Sequence, residues 1–178
     1  VPDVDYAIRG PELPFFHNTF PASVTGLPGH YVENVTLENI SVSYPGKANP
    51  GYAHIPLWRL ESVPENASAY PEFHMFGELP SWGFFVRHVD GLTLKDVRLY
   101  VRDDDFRPAY VFDDVKSIVM ERGAITTGTG IPQVVIRDVH GLDVSNVHVE
   151  RNVLRSVAAY GTNSGVEGVV PVQQPAVD

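Results

Sequence analysis

One eleven-residue pattern occurs four times in this chain, at residues 32–42 (VENVTLENISV), 89–99 (VDGLTLKDVRL), 115–125 (VKSIVMERGAI) and 139–149 (VHGLDVSNVHV). Laid over one another, the copies give a valine column of Val32, Val89, Val115 and Val139. A small or turn-forming column follows, of Asn34, Gly91, Ser117 and Gly141. Apolar columns come next: Val35, Leu92, Ile118 and Leu142; then Leu37, Leu94, Met120 and Val144; then, after a break, Val42, Leu99, Ile125 and Val149. The residues between are mostly polar, so each copy alternates with period two, as a strand with one buried face does.

The alternation skips at Asn39, Asp96, Arg122 and Asn146, where the next apolar residue comes three positions on. A corner belongs there, because Asn and Asp tolerate the left-handed backbone that a one-residue bend requires; in the third copy Gly123 stands beside the misfit Arg122 and is placed to take over. Each unit therefore reads as strand, corner, strand. The step is 26 residues from Leu92 to Ile118 and 24 from Ile118 to Leu142, within the range of solenoid repeats. The first step, from Val35 to Leu92, is 57, which is two periods or one period with a long insertion.

No helical pattern is present to supply a crossover, so the strands are expected to stack in parallel, coil on coil. The fold class read here is all-β, a parallel β-helix, over a single domain spanning 1–178. A leucine-rich repeat would need a helical return limb, and an immunoglobulin-like sandwich would not align columns across four copies.

Composition narrows the partners. The formal charge is −9, with only 13 Lys plus Arg, which disfavours nucleic acid; any anionic substrate would need a local arginine cluster. No apolar run approaches the roughly 20 residues of a membrane span, so no membrane partner is expected, and the N-terminus has no signal-peptide pattern. The absence of cysteine excludes disulfides and thiolate metal sites. Three glycosylation sequons, at Asn34, Asn39 and Asn66, read as chance occurrences in a chain rich in Asn, Ser and Thr.

Outside the repeat, residues 1–30 carry five prolines and read as a lead-in on the surface, too proline-broken to cap a solenoid. Residues 152–178 read as an irregular tail contributing one last coil. Residues 45–83 form the least regular stretch, with six prolines, both tryptophans and two histidines. Long ordered excursions from a regular scaffold tend to carry function. Here Tyr52, His54, Trp58, Arg59 and Trp82, with Arg107 from the loop RDDDFRPAY, are the candidate substrate-binding residues, since flat aromatics and bidentate donors suit a sugar ring. The competing reading makes Trp58, Phe73, Phe76 and Trp82 a satellite apolar cluster that pins the loop.

Asp113-Asp114 resembles a paired-carboxylate site, but register argues against it. Phe112 to Val115 share columns with Val86 to Val89 and with Ile136 to Val139, so Asp114, His88 and Asp138 play one structural role at a turn before the repeat. His140 reads as a solvent-facing strand residue, and Asp103, Asp104 and Asp105 as a solvated acidic loop rather than a calcium site. No catalytic residue, metal ligand or cofactor is assigned.

With these columns, the loop sequence YPEFHMFGELPSWGFFVRHVDGL followed by RPAYVFDDV resembles the C-terminal portion of bacterial proteins of glycoside hydrolase family 28, the polygalacturonases and relatives that cleave pectic polysaccharides. The resemblance covers roughly residues 20–150. It implies a right-handed parallel β-helix, of which this chain would be an incomplete C-terminal part, and a secreted or periplasmic location. It also implies hydrolysis with inversion, using carboxylates on N-x-D, Asp-Asp, G-H-G and R-I-K motifs. Those motifs are not found in their contexts here, so the catalytic aspartates are expected upstream, and these residues alone are expected to be inactive. The expected partners are a pectic or related polysaccharide and an upstream part of the same protein, or another chain, covering the N-terminal coil. Two rivals stand beside this reading: a noncatalytic β-helix module that binds glycan or serves as scaffold, and a calcium-dependent lyase-like enzyme.

Overall fold

A computed structural model describes residues 17–52, 54–72 and 74–175. The fold is nearly all β. Its strands are β1 (Ala22–Thr25), β2 (Val32–Tyr44), β3 (Phe84–Val101), β4 (Tyr110–Glu121), β5 (Ala124–Thr126), β6 (Val134–Arg137), β7 (His140–Ser145), β8 (His148–Val149), β9 (Asn152–Val153), β10 (Ser156–Tyr160), β11 (Ser164–Glu167) and β12 (Val170–Gln173). A 3₁₀ turn at Leu57–Ser62 interrupts the long excursion between β2 and β3. Among the described residues the strands belong to one curled sheet, and strand pairs with strand in parallel apart from the short β8–β9 pair.

The pairings form three ladders. One runs through β1, the start of β3, the start of β4, β6, β10 and β12. The second runs through β2, the middle of β3, the end of β4, β7 and β11. The third joins the ends of β2 and β3 to β5 and β8. The repeat columns meet in register: Leu37 pairs with Leu94, Leu94 with Met120, and Met120 with Val144. Leu94, Met120 and Val144, with their neighbours Leu92, Ile118, Leu142, Leu99 and Ile125, are at most 6% exposed and build the main core, against which the partly buried Leu37 packs. Phe84 and Tyr110 stack at 5.6 Å, and Tyr110 and Phe112 at 5.7 Å, continuing the core along the first ladder. A gap of about 10 Å³ among Leu94, Val97, Met120, Ile125 and Val147 has room for no more than about one water.

Left-handed residues mark the bends, as the skipped alternation predicts. Asn39, Asp96, Arg122 and Asn146 have φ of 61°, 53°, 54° and 54°. In the third copy Arg122 itself takes the strained conformation, and Gly123 does not. Arg122 is held by Asp96, the residue at the same corner one pass earlier, with Nη2 3.0 Å from Oδ2. Gly123 meets a different need, close approach: a Cβ there would stand 3.2 Å from the Val97 carbonyl oxygen.

Three expectations need correction. The lead-in is not merely surface packing, since β1 lies within it and pairs with β3 over Ala22 to Thr25; residues 1–16 lie outside the described residues. The tail is more regular than expected: Ala158 pairs with Val135 and Val166 with Leu142, so it continues two ladders. The segment read only as a turn before each repeat is the end of a further strand, because Arg87, Asp113 and Arg137 are in ladder register and the turn residues His88, Asp114 and Asp138 follow at φ 53°.

Candidate functional site

The outward face of the first ladder carries two rows, and the loop before β3 lies across both. The first row, Phe85, Val111, Val135 and Ala158, packs beneath Leu60, Val63 and Leu79 of the loop, with Ile55, Leu57, Phe76 and Tyr160 at its margin. A satellite cluster does pin the loop, but its membership differs from the expected one. Phe76 belongs to it, Trp58 is exposed, Trp82 is in the main core, and Phe73 lies outside the described residues.

Two residues further along the strands stands the second row, Arg87, Asp113 and Arg137. Asp113 is 1% exposed and sits between the two guanidiniums: Arg87 Nε is 2.7 Å from Oδ2, and Arg137 donates from Nε to Oδ1 at 2.6 Å and from Nη2 to Oδ2 at 3.0 Å. A charge that deeply buried is tolerable only when it is paired and hydrogen-bonded throughout. Arg87 also donates to the carbonyls of Val63, at 2.8 Å, and Leu60, while Arg137 reaches Glu61 at 2.7 Å. Arg87 thus satisfies loop carbonyls that burial would otherwise strand, while Arg137 ties the solvent-facing Glu61 to the same row.

Beside this row is a second polar group. His88 Nδ1 lies 2.6 Å from Asp114 Oδ2, and its Nε2 lies 3.1 Å from Glu65 Oε1. Tyr31 donates its hydroxyl to the same Asp114 oxygen at 2.6 Å, and Lys116 Nζ sits 4.1 Å from the centre of the Tyr31 ring. Burial pushes the Asp114 carboxyl upward, but the hydrogen bonds from Tyr31 and His88 outweigh it and hold the group below the usual carboxylate range. The same bond to Asp114, helped by desolvation, raises the Tyr31 phenol to about 12. Neither aspartate of the Asp113-Asp114 pair is therefore a free acid or base.

The six predicted binding residues divide by exposure. Trp58 and Arg59 stand side by side on the outside of the 3₁₀ turn, Trp58 at 39% exposure. His54 is exposed and sets its ring edge-on to Phe106 at 5.0 Å; desolvation, then the Arg107 charge, push its imidazole below the ordinary histidine value. Tyr52 is half-buried, its N–H donating to the Asn49 carbonyl at 3.1 Å.

Trp82 and Arg107 face inward, which corrects their placement on a sugar-facing surface. Trp82 is 1% exposed, set edge-on to Tyr44, with its indole N–H on Gln133 Oε1 at 3.2 Å. Arg107 is 3% exposed and forks onto Asp105, with both bonds at 3.0 Å, while Nη1 donates to the carbonyls of Thr19 and Leu79. Both tie chain segments together and leave no open face for a ligand. Of the acidic loop, Asp105 is spent on Arg107, and Asp103 lies 3.6 Å from both Lys47 and Arg102. His140 is exposed, with Nδ1 2.9 Å from Ser164 Oγ.

Residue pattern alone did not reveal Arg87, Glu65, His88 and Tyr31 as one group. The available signal was the register of Arg87, Asp113 and Arg137, an alternation of charge sign down one column. No family model, curated protein or solved structure matches this chain.

Proposed function

We propose that this chain is a carbohydrate-binding right-handed parallel β-helix of the kind found in pectin-degrading glycoside hydrolases, with the exposed Trp58–Arg59 turn as its contact to a pectic glycan. The observation that carries the reading is this turn, which presents an open indole and a guanidinium while the buried Arg87 ties its backbone to the sheet. An indole stacks on a sugar face and a guanidinium forks onto a uronate, so the pair suits an anionic polysaccharide despite the net charge of −9. A turn already held in place lowers the ordering cost of binding. The in-register stacking of Leu94, Met120 and Val144, with left-handed residues at each bend, supports the β-helix part. On this reading the protein works outside the cytoplasm, and in a complete hydrolase the acid and base belong to residues other than Asp113 and Asp114.

A second reading, a noncatalytic module or scaffold, is favoured by those two aspartates, since both are occupied by cationic or hydroxyl partners. Titration with oligogalacturonides separates a glycan-binding role from an inert scaffold. Binding by the native chain, weakened about tenfold by Trp58→Ala and by Arg59→Ala, is the expected result. Absence of binding, or binding indifferent to both substitutions, would leave the scaffold reading.

A further inference from the structure

His88 holds two carboxylates at once, and its chemistry allows that in one protonation state. A neutral imidazole carries a single N–H, so Nδ1 and Nε2 both donate only in the imidazolium form. The contacts at 2.6 Å to Asp114 and 3.1 Å to Glu65 are therefore both hydrogen bonds while the ring is charged. Loss of the proton turns one of them into a lone pair facing a carboxylate.

The two carboxylates come from different layers. Asp114 follows the Asp113 rung of β4, whereas Glu65 belongs to the loop just past the 3₁₀ turn. We infer that His88 is a proton-dependent latch that fastens the Glu65 side of this loop to the sheet and lets go as the imidazole loses its proton.

The surrounding charges set what remains after release. From β3, Arg87 also reaches Glu65, Nη1 to Oε1 at 3.3 Å, and keeps its bonds to the Val63 and Leu60 carbonyls whatever the state of His88. Asp90, on the same strand, lies close enough to raise the Tyr31 phenol. From β4 come Asp114 and Lys116, and from the segment before β2 comes Tyr31, edge-on to the His88 ring at 6.0 Å and bonded to Asp114. Glu61 of the loop is turned to Arg137. Release is thus local: the Arg87 anchor keeps the 3₁₀ turn seated, while the chain around Glu65 loses its second attachment.

The inference concerns loop dynamics and holds whether or not the loop binds glycan. Amide hydrogen exchange on the full chain tests it, comparing about pH 5 with about pH 9, after correction for intrinsic rates. Protection of residues 65–72 is expected to fall about tenfold at the higher pH, the order of one charge-assisted hydrogen bond, with the 3₁₀ turn and β3 unchanged. His88→Asn, chosen because asparagine accepts the φ of 53° at this position, should erase the pH difference. Glu65→Gln should erase it too, leaves the sheet untouched, and decides the matter alone if the histidine variant does not fold. Protection in the native chain that does not respond to pH, or a response that survives Glu65→Gln, would overturn the latch.

Discussion

Strands β2 and β3 carry the same repeat in register, yet they live in different surroundings. On β3 the inward residues Val89, Leu92, Leu94, Val97 and Leu99 are at most 2% exposed, whereas their partners Val32, Val35, Leu37, Ile40 and Val42 on β2 are only partly buried. The difference is position: β3 has β2 on one side and β4 and β5 on the other, while β2, among the described residues, pairs with β3 alone. Equal sequence patterns thus yield unequal burial, and the middle rungs hold most of the core. The same contrast appears on the outward row, where Arg87, Asp113 and Arg137 lie between Thr25 and Tyr160. Charges occupy the rungs that have neighbours to neutralise them.

The contrast is open to direct attack. Asp113→Ala should be the most damaging change, about 3–5 kcal/mol of unfolding free energy, because it strands two guanidiniums against a buried row; chemical denaturation measures it. A loss under about 1 kcal/mol would mean that water reaches the row and that its burial decides little.

Leu94→Ala should cost about 3 kcal/mol and Leu37→Ala about 1, since the first leaves a closed cavity and the second a site already open to solvent. Paired denaturation curves compare them. Equal costs would show that in solution something covers the β2 side of the core, and the contrast between the strands would vanish.

The smallest effect lies at the rim of the polar group. The Tyr31 phenol is raised from 10.0 to about 12, so it stabilises the fold fully below pH 10 and loses that contribution as pH rises toward 12. Tyr31→Phe should flatten this part of the alkaline stability profile and remove one late-titrating phenol from the absorbance titration. A profile identical to that of the native chain would separate Tyr31 from Asp114.

Where period two was clean, the fold was legible beforehand. The columns of Leu37, Leu94, Met120 and Val144, and the left-handed bends at Asn39, Asp96 and Asn146, follow from alternation and from the tolerance of Asn and Asp for positive φ. The first ladder was missed for a physical reason: Phe84 to Val86, Tyr110 to Phe112 and Val134 to Ile136 are buried on both faces and show no alternation to read. Val166 hid its membership of a column because the residues two positions to either side, Ser164 and Gly168, are not apolar and leave no period to read.

Of the candidate site, the pair Trp58 and Arg59, which the fold leaves exposed, was chosen on residue chemistry, but so were Trp82 and Arg107, which the fold turns inward. Residue type states what a side chain can bind and leaves open which way an irregular loop will aim it. Spacing by itself therefore determined the strand columns, their bends and their registration, since steric and hydrophobic preferences repeat every 24 or 26 residues. Tertiary structure alone decided which rungs are sealed, which of the two tryptophans meets solvent, and that Arg87 and His88 meet a loop 22 to 27 residues away, because those outcomes depend on neighbours that distant stretches of chain bring together.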